Sequence, residues 1–433
     1  MSFSHLASLL PPDARCVLAF SGGLDSTVLL HQLVCWQRQQ PQLRVRALHV
    51  HHGLSPNADS WAAHCQQVCQ QWQIACEILY VQVDGRSGGI EAAAREARYH
   101  ALFQQLQPDE HLLTAQHLDD QGETLLLALK RGSGPAGLAA MPLQRKVGDY
   151  LHLRPLLNSS RQQLENYAAQ HQLSWIEDES NADSRYDRNF LRQQILPLLQ
   201  QRWPHFSAAA ARSAALCGEQ EQLLDELLAE QLTQLVDSQG ALTFPPLLAM
   251  GEARRHALLR RWIAQQGGAM PARDALQRIT NEVMHSREDA NPCLRFGAFE
   301  LRRYRQRLFW LTPQASLRQH SLTWHDLTQP LLLPDGLGKL QANYEQVKLR
   351  LPAQGEQINI RFQAQGYYHL LGRTGGRDMK KLWQELGIAP WQRERIPLIY
   401  YNQTLIGAPG LFITREGAAS NALGWQAIWL TQQ

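Results

Sequence analysis

The stretch Phe20-Ser21-Gly22-Gly23-Leu24-Asp25-Ser26 joins an apolar run at 16–20 to a segment of helical spacing at 27–33. A glycine pair between a strand and a helix lets the backbone turn tightly and bring its N–H groups against an oxyanion. The hydroxyls of Ser21 and Ser26 can donate to phosphate oxygens, and the helix N-terminus adds a positive dipole end. Asp25 would repel a phosphate unless a cation stood between them, so magnesium is the implied counter-ion. A Gly-Gly turn with Asp at a helix start also fits these residues as a plain capping arrangement. The surrounding chain favours the phosphate loop.

Over the first 200 residues, strand patterns at 17–20, 45–51, 78–83, 111–116 and 150–154 alternate with helical patterns at 25–39, 57–73, 90–105 and 120–131. Ser160 with Gln163 predicts a capping box for a further helix ending near His171. Such alternation predicts an α/β fold with a doubly wound parallel sheet. Ligands gather at the carboxyl ends of its strands, where the glycine loop falls. The phosphate loop of kinases and GTPases needs Gly-Lys-Ser/Thr, and the one Gly-Lys pair, Gly338-Lys339, is followed by Leu340. Gly132-Ser133-Gly134-Pro135-Ala136-Gly137 has dinucleotide-binding spacing but follows a helical pattern, so the dinucleotide reading fails on context.

With 433 residues the chain is expected to hold two or three domains. The pattern predicts a nucleotide-binding domain at 1–203, a mostly helical domain at 204–313 and a smaller mixed α+β domain at 314–433. The middle region has helical patterns at 208–235, 252–265 and 273–285, then strands at 293–296 and 299–304. The third reads as mostly β, with one helix at 378–386. No run reaches about 18 uninterrupted apolar residues, which indicates neither secretion nor membrane insertion. Seven cysteines without a Cys-x-x-Cys read as free thiols of a reducing, cytoplasmic compartment. A net charge of +3 announces no partner, but only six of the 42 basic residues are lysines. Arginine suits planar contacts to RNA, although coding bias would give the same excess.

Four further stretches lie where a nucleotide enzyme needs them. His49-Val50-His51-His52 ends the second strand, where loop packing and adenine contact account for it equally well. In Gly89-Ile90-Glu91-Ala92-Ala93-Ala94-Arg95-Glu96-Ala97-Arg98-Tyr99, Arg95 stands one turn from Glu91 and from Tyr99. An ion pair explains it, and so does charge stabilisation on departing pyrophosphate. In Thr114-Ala115-Gln116-His117-Leu118-Asp119-Asp120-Gln121-Gly122-Glu123-Thr124, Asp120 and Glu123 share one helix face. They could serve the helix dipole, or hold a metal or an ammonium group beside the phosphate loop. Asp178-Glu179-Ser180-Asn181 and Tyr186-Asp187-Arg188-Asn189-Phe190-Leu191-Arg192 read, alone, as a solvated turn. Arg302, Arg303, Arg305 and Arg307 with Tyr304, and Arg373, Arg377, Lys380 and Lys381, form two basic runs suited either to solvent or to RNA phosphates.

The Ser-Gly-Gly-Leu-Asp-Ser loop resembles the signature of the PP-loop ATP pyrophosphatases, which cleave ATP to AMP and pyrophosphate. Taken in order with 89–99, 115–124, 130–141, 178–191, Gly375-Gly376-Arg377, Lys380-Lys381-Leu382 and Pro390-Trp391, it resembles the tRNA(Ile)-lysidine synthetases of the longer enterobacterial type. The likeness spans nearly the whole chain and is weakest over 316–364. It implies conversion of the wobble cytidine of a CAU-anticodon isoleucine tRNA to lysidine, with ATP and L-lysine as reactants and magnesium as cofactor. ATP adenylates the oxygen on carbon 2, and the ε-amine of lysine then expels AMP. The resemblance implies that Ser21, Gly22, Gly23, Leu24, Asp25 and Ser26 bind ATP, with Asp25 at the magnesium. Arg95 would neutralise phosphate, Asp120 and Glu123 hold lysine, and Arg188 approach the nucleotide or cytidine. Arg131, Gly132, Ser133 and Gly134 would border the RNA entry, while Arg302, Arg303, Arg305, Arg377, Lys380 and Lys381 meet tRNA. It implies no stable protein partner and leaves the oligomeric state open. A tRNA thiolation enzyme would share the loop but needs paired cysteines, which are not suitably spaced here.

Overall fold

The computed structural model describes residues 4–83, 90–287, 290–345, 348–419 and 423–431. Two compact units divide the chain, Met1–Leu228 and Ala229–Gln433.

The first unit runs α1 (Ser4–Leu9), β1 (Arg15–Ala19), α2 (Leu24–Gln39), β2 (Arg44–His51), α3 (Ala58–Gln71), β3 (Ala75–Tyr80), α4 (Ile90–Gln104) and β4 (Glu110–Leu113). There follow α5 (Leu118–Lys130), α6 (Pro135–Leu138), β5 (Gln144–Val147), β6 (Tyr150–Leu153), α7 (Arg161–Gln170), α8 (Asp187–Phe190), α9 (Leu196–Arg202) and α10 (Phe206–Leu235), the last crossing the boundary between units. The sheet order is β3-β2-β1-β4-β6-β5, parallel except for β5. Side chains alternate across a strand, so β1 feeds both faces. Cys16 and Leu18 join a core with Leu29, Leu33 and Leu164, whereas Val17 joins Leu48, Leu102 and Leu112 on the opposite face. That two-sided burial is what a doubly wound sheet requires.

The third strand, expected at 78–83, lies at Ala75–Tyr80, and two further features of this unit differ from expectation. The fourth strand stops at Leu113, not at residue 116. The freed segment carries Thr114 and Gln116 out of the sheet and sets His117 as the N-cap of α5. The edge strand β5 is too polar, Gln-Arg-Lys-Val, to announce itself. Its charges suit a solvent edge, and a turn with Gly148 at φ 59° folds it onto β6.

The second unit opens with β7 (Leu242–Thr243), α11 (Pro245–Leu248), α12 (Glu252–Gln265) and α13 (Arg273–Arg278), then β8 (Cys293–Phe296), β9 (Phe299–Tyr304) and β10 (Arg307–Leu311). The helix expected over 273–285 changes at Ile279–Met284 to a wider π turn. The remainder is mostly β: β11 (Ser321–Thr323), β12 (Leu331–Leu332), β13 (Lys339–Asn343), β14 (Ile358–Arg361), β15 (Tyr367–His369), β16 (Gly376–Asp378), β17 (Leu398–Tyr401), β18 (Thr404–Ala408), β19 (Phe412–Ile413) and β20 (Gln426–Leu430). Its helices are α14 (Met379–Glu385) and α15 (Pro390–Arg393). Met379, Leu382 and Trp383 face a core with Leu398 and Tyr400, which leaves Lys380 and Lys381 exposed. Among the described residues no helix is long and apolar enough to cross a membrane.

Candidate active site

The glycine loop closes between the carboxyl end of β1 and the first turn of α2. Gly22 has φ 81°, and a Cβ there would stand 2.7 Å from Ile176 Cδ1 and 2.9 Å from Cys65 Sγ. The positive φ favours glycine, and any Cβ would also have to displace the Ile176 and Cys65 side-chain ends. Ile176 N donates to Gly22 O at 2.9 Å, and Thr27 Oγ1 donates to the same carbonyl at 3.3 Å. Ser26 is buried; its hydroxyl donates to Gly23 O at 3.0 Å and lies 3.0 Å from Ser21 Oγ. Ser26 thus braces the loop while Ser21 is exposed. Leu24 is buried and anchors α2. The N-cap is Gly23, and no side chain caps it, so the first N–H groups of α2 are not satisfied by an Asp cap. The simple capping alternative does not describe this loop.

Asp25 points toward the other carboxylates. Arg161 Nη1 donates to its two oxygens at 3.1 and 3.3 Å, and His117 Nε2 lies 3.8 Å away. Burial raises the Asp25 carboxyl above its ordinary value, against the pull of His117 and Arg161. At α5, His117 Nδ1 accepts from Asp119 N at 3.2 Å, and His117 N donates to Asp120 Oδ2 at 2.9 Å. Asp120 therefore does cap the helix with one oxygen. Its other oxygen accepts from Arg192 Nη2 at 2.9 Å. Glu123 is 0% exposed and takes two bonds from Arg192, at 2.7 and 3.1 Å, with Arg188 Nε at 3.6 Å. Burial raises its carboxyl, and Arg192 opposes the rise. Asp119 joins through Arg161 N at 3.0 Å and through Gln200 and Ser207, both at 2.7 Å.

Four carboxylates here face three guanidinium groups, which leaves negative charge for an incoming cation. Arg192 and Arg161 were not singled out from sequence. Arg192 follows Arg188 by one helical turn, which puts both on the face toward Glu123. Arg161 is the first residue of α7, where a cation opposes the helix dipole unless an acid faces it. The arginine pair sits where α8 passes into a π turn at Leu191–Ile195, a distortion common at functional sites. The solvated-turn reading describes most of 178–187, which is exposed, but not Arg188 and Arg192, which reach the buried acids.

Arg95 is not part of this network. It is exposed, with its guanidinium 5.2 Å from the Tyr99 ring. The Glu91 side chain expected to pair with it lies outside the described residues, as does Gly89. His49 Nδ1 donates to Phe20 O at 2.9 Å, and His51 meets Asp59 at 3.0 Å. Arg131, Gly132 and Gly134 are exposed and Ser133 half-buried, in the turn between α5 and α6. Among the described residues no group of three or more His, Cys, Asp or Glu could hold a metal ion. One carboxylate beside phosphates still fits magnesium, which takes few protein ligands and keeps water and phosphate oxygens.

In the second unit the basic runs have internal partners. Arg302 bonds Glu300 at 2.8 Å and lies 5.8 Å from the Trp391 ring. Arg303 Nη1 donates to the carbonyls of Val283, Met284 and Ser286, closing the end of the π turn. Arg305 Nη2 donates to Gln384 O at 2.8 Å. Arg373 and Arg377 share Glu385, at 2.5 and 3.0 Å. Lys380 and Lys381 make no ion pair among the described residues.

A PP-loop domain model matches residues 3–199, a TilS substrate binding domain model residues 242–309, and a TilS substrate C-terminal domain model residues 358–429. A tRNA(Ile)-lysidine synthase of Serratia proteamaculans is 58% identical over 98% of this chain and 98% of its own. One from Salmonella typhimurium is 55% identical over 99% of this chain and 100% of its own.

Proposed function

This chain belongs to the tRNA(Ile)-lysidine synthase family, and from that premise we propose how its own residues perform the reaction. The chain is an ATP-dependent ligase of the PP-loop family. Its substrates are a CAU-anticodon isoleucine tRNA, ATP and L-lysine. The observation that carries the site assignment is the network from Asp25 through Arg161 and His117 to Asp120, and on through Arg192 to Glu123, beside the glycine loop. The thiolation alternative is not favoured: full-length relatives carry the lysidine name, and the cysteines have no Cys-x-x-Cys pairing.

In this reading the N–H groups at the start of α2 and the Ser21 hydroxyl bind ATP phosphates, with Gly22, Gly23, Leu24 and Ser26 shaping the loop. Asp25 would hold magnesium, which supplies charge neutralisation on the phosphates. Arg95 neutralises the departing pyrophosphate, and Arg188 orients the nucleotide or the cytidine. The poor leaving oxygen on carbon 2 becomes an adenylate. Asp120 and Glu123 then orient the lysine amine, which must shed a proton before it attacks carbon 2 and expels AMP.

For RNA we propose contact by Arg131, Gly132, Ser133 and Gly134 at the entry, and by Arg377, Lys380, Lys381 and the free edge of Arg305 in the second unit. Arg302 and Arg303 are spent on internal partners, so we assign them a scaffolding role. We propose three modules, 1–203, 204–313 and 314–433, working as a cytoplasmic enzyme. The test is to incubate the full chain with ATP, radiolabelled lysine and bulk tRNA. Lysine should enter RNA with one AMP and one pyrophosphate released per lysine. ATP cleavage without lysine in RNA would refute the assignment.

A further inference from the structure

Arg154, just beyond β6, is only 5% exposed. Its Nη1 donates to Pro142 O at 2.7 Å, its Nη2 donates to His152 Nδ1 at 3.2 Å, and its Nε has no acceptor. Since His152 Nδ1 accepts, His152 Nε2 carries the proton and donates to Thr114 Oγ1 at 2.7 Å, whose own proton goes to Gln116 Oε1. Every partner of this buried guanidinium is therefore neutral. Arg46, Arg161, Arg188 and Arg192 of the same unit each meet a carboxylate. Arg154 does not, among the described residues.

More positive charge gathers around it. The Tyr99 ring lies 5.5 Å from His152, with Arg95 at 5.2 Å and Arg98 at 5.7 Å. Arg145 stands opposite His152 in the β5–β6 register. None of these three makes an ion pair among the described residues. His52 Nδ1 is a second buried nitrogen without a partner, and burial with nearby Arg98 pushes that imidazole down to about 4. Burial and Arg154 push His152 down to about 3, so neither ring adds charge near neutrality. The cluster lies beyond the carboxyl ends of β2, β4 and β6, where this class of sheet binds ligands. Holding the Arg154 cation out of water without a counter-charge is unfavourable. A ligand that supplies the missing charge offsets that cost.

We propose that Arg154, with Arg95 and Arg98, forms a binding site for a phosphate group. Guanidinium forks match phosphate oxygens in pairs, and several cations around one spot call for more than one negative charge. The choice of phosphate over another polyanion rests on the functional reading above. That reading supplies two sources, the pyrophosphate leaving ATP and a phosphodiester flanking the target cytidine. Only Arg95 of this cluster has a role in that reading; Arg98 and Arg154 are new.

The test measures binding by the full chain, first of inorganic pyrophosphate in magnesium-free buffer by calorimetry, then of tRNA across a salt series. The variants are Arg154→Gln, Arg154→Lys and Arg98→Gln. Loss of a charge-assisted bond should weaken phosphate binding about tenfold or more in the two Gln variants, and Arg154→Lys should recover part of it. Weaker pyrophosphate binding with an unchanged tRNA salt slope assigns the site to the leaving group. Weaker tRNA binding, with the slope reduced by roughly one, assigns it to the RNA backbone. Unchanged binding of both ligands by folded Arg98→Gln and Arg154→Gln protein overturns the proposal. Should Arg154→Gln fail to fold, half-buried Arg98 still decides the matter. Failure of the unaltered chain to transfer lysine would refute the functional reading without touching either binding result.

Discussion

Removing Arg192 should expose how the acidic cluster is held. Arg192→Met leaves Glu123, which has no solvent exposure, without its two bonds at 2.7 and 3.1 Å. Breaking a buried pair on one side costs about 3–5 kcal/mol. Arg188 at 3.6 Å and the 38% exposure of the Arg192 side chain put the expected loss near the low end, about 3 kcal/mol. Glu123→Gln leaves Arg192 with Asp120 and water, and should cost about 1–2 kcal/mol. The double variant should then fall short of the sum by roughly 1.5 kcal/mol or more. Amide hydrogen exchange of peptides within α5 reads these energies locally. The pH dependence fixes the sign. Glu123 has a raised carboxyl pKa that Arg192 opposes, so removing Arg192 raises it further. Between the unfolded and the raised folded value the native state binds more protons, so the variant's stability falls as pH rises through that window. The Arg192→Met penalty should therefore be larger at pH 8 than at pH 5.5. Energies additive within ~0.5 kcal/mol, with no pH trend, would refute the reasoning.

Other outcomes follow from the same geometry. Asp25→Ala should fold yet lose magnesium-dependent pyrophosphate release, measured with tRNA and ATP; normal turnover would remove the metal role. Neutralising Arg377, Lys380 and Lys381 together should weaken tRNA binding alike for any tRNA sequence and lower the salt slope by roughly one for each phosphate no longer neutralised. Unchanged affinity and slope would make that patch a solvated face. His152, held near 3 when folded, contributes stability that is present above about 6.5 and lost as pH falls toward 3, at about 1.4 kcal/mol per pH unit. His152→Gln should flatten the stability profile between pH 6.5 and 4.5, as followed by urea unfolding, and an unchanged slope would count against its neutral burial.

Sequence alone carried the sheet, because each central strand holds an apolar, fully buried segment: Cys16, Val17 and Leu18 in β1, Ala47 and Leu48 in β2, Leu112 and Leu113 in β4. It missed β5, whose Gln-Arg-Lys-Val run carries no alternation and pairs only because β6 lies beside it. The π turns at Leu191–Ile195 and Ile279–Met284 leave no mark in helical spacing. Asp25, Asp120 and Glu123 were legible because each follows a strand-to-helix junction. Arg161 and Arg192 were not, since their partners lie 136 and 69 residues away. The same blindness made Arg303 look solvent-facing, when it closes a helix end 17–20 residues earlier.

The wobble nucleoside itself gives the most direct test. An isoleucine CAU tRNA is treated with the full chain, ATP, magnesium and lysine, then digested and analysed by mass spectrometry. The account predicts a nucleoside at the wobble position with the mass of cytidine plus lysine minus one water. It also predicts that omitting lysine leaves AMP attached to that cytidine instead. An unchanged cytidine, lysine at another position, or sulfur in place of lysine would contradict it.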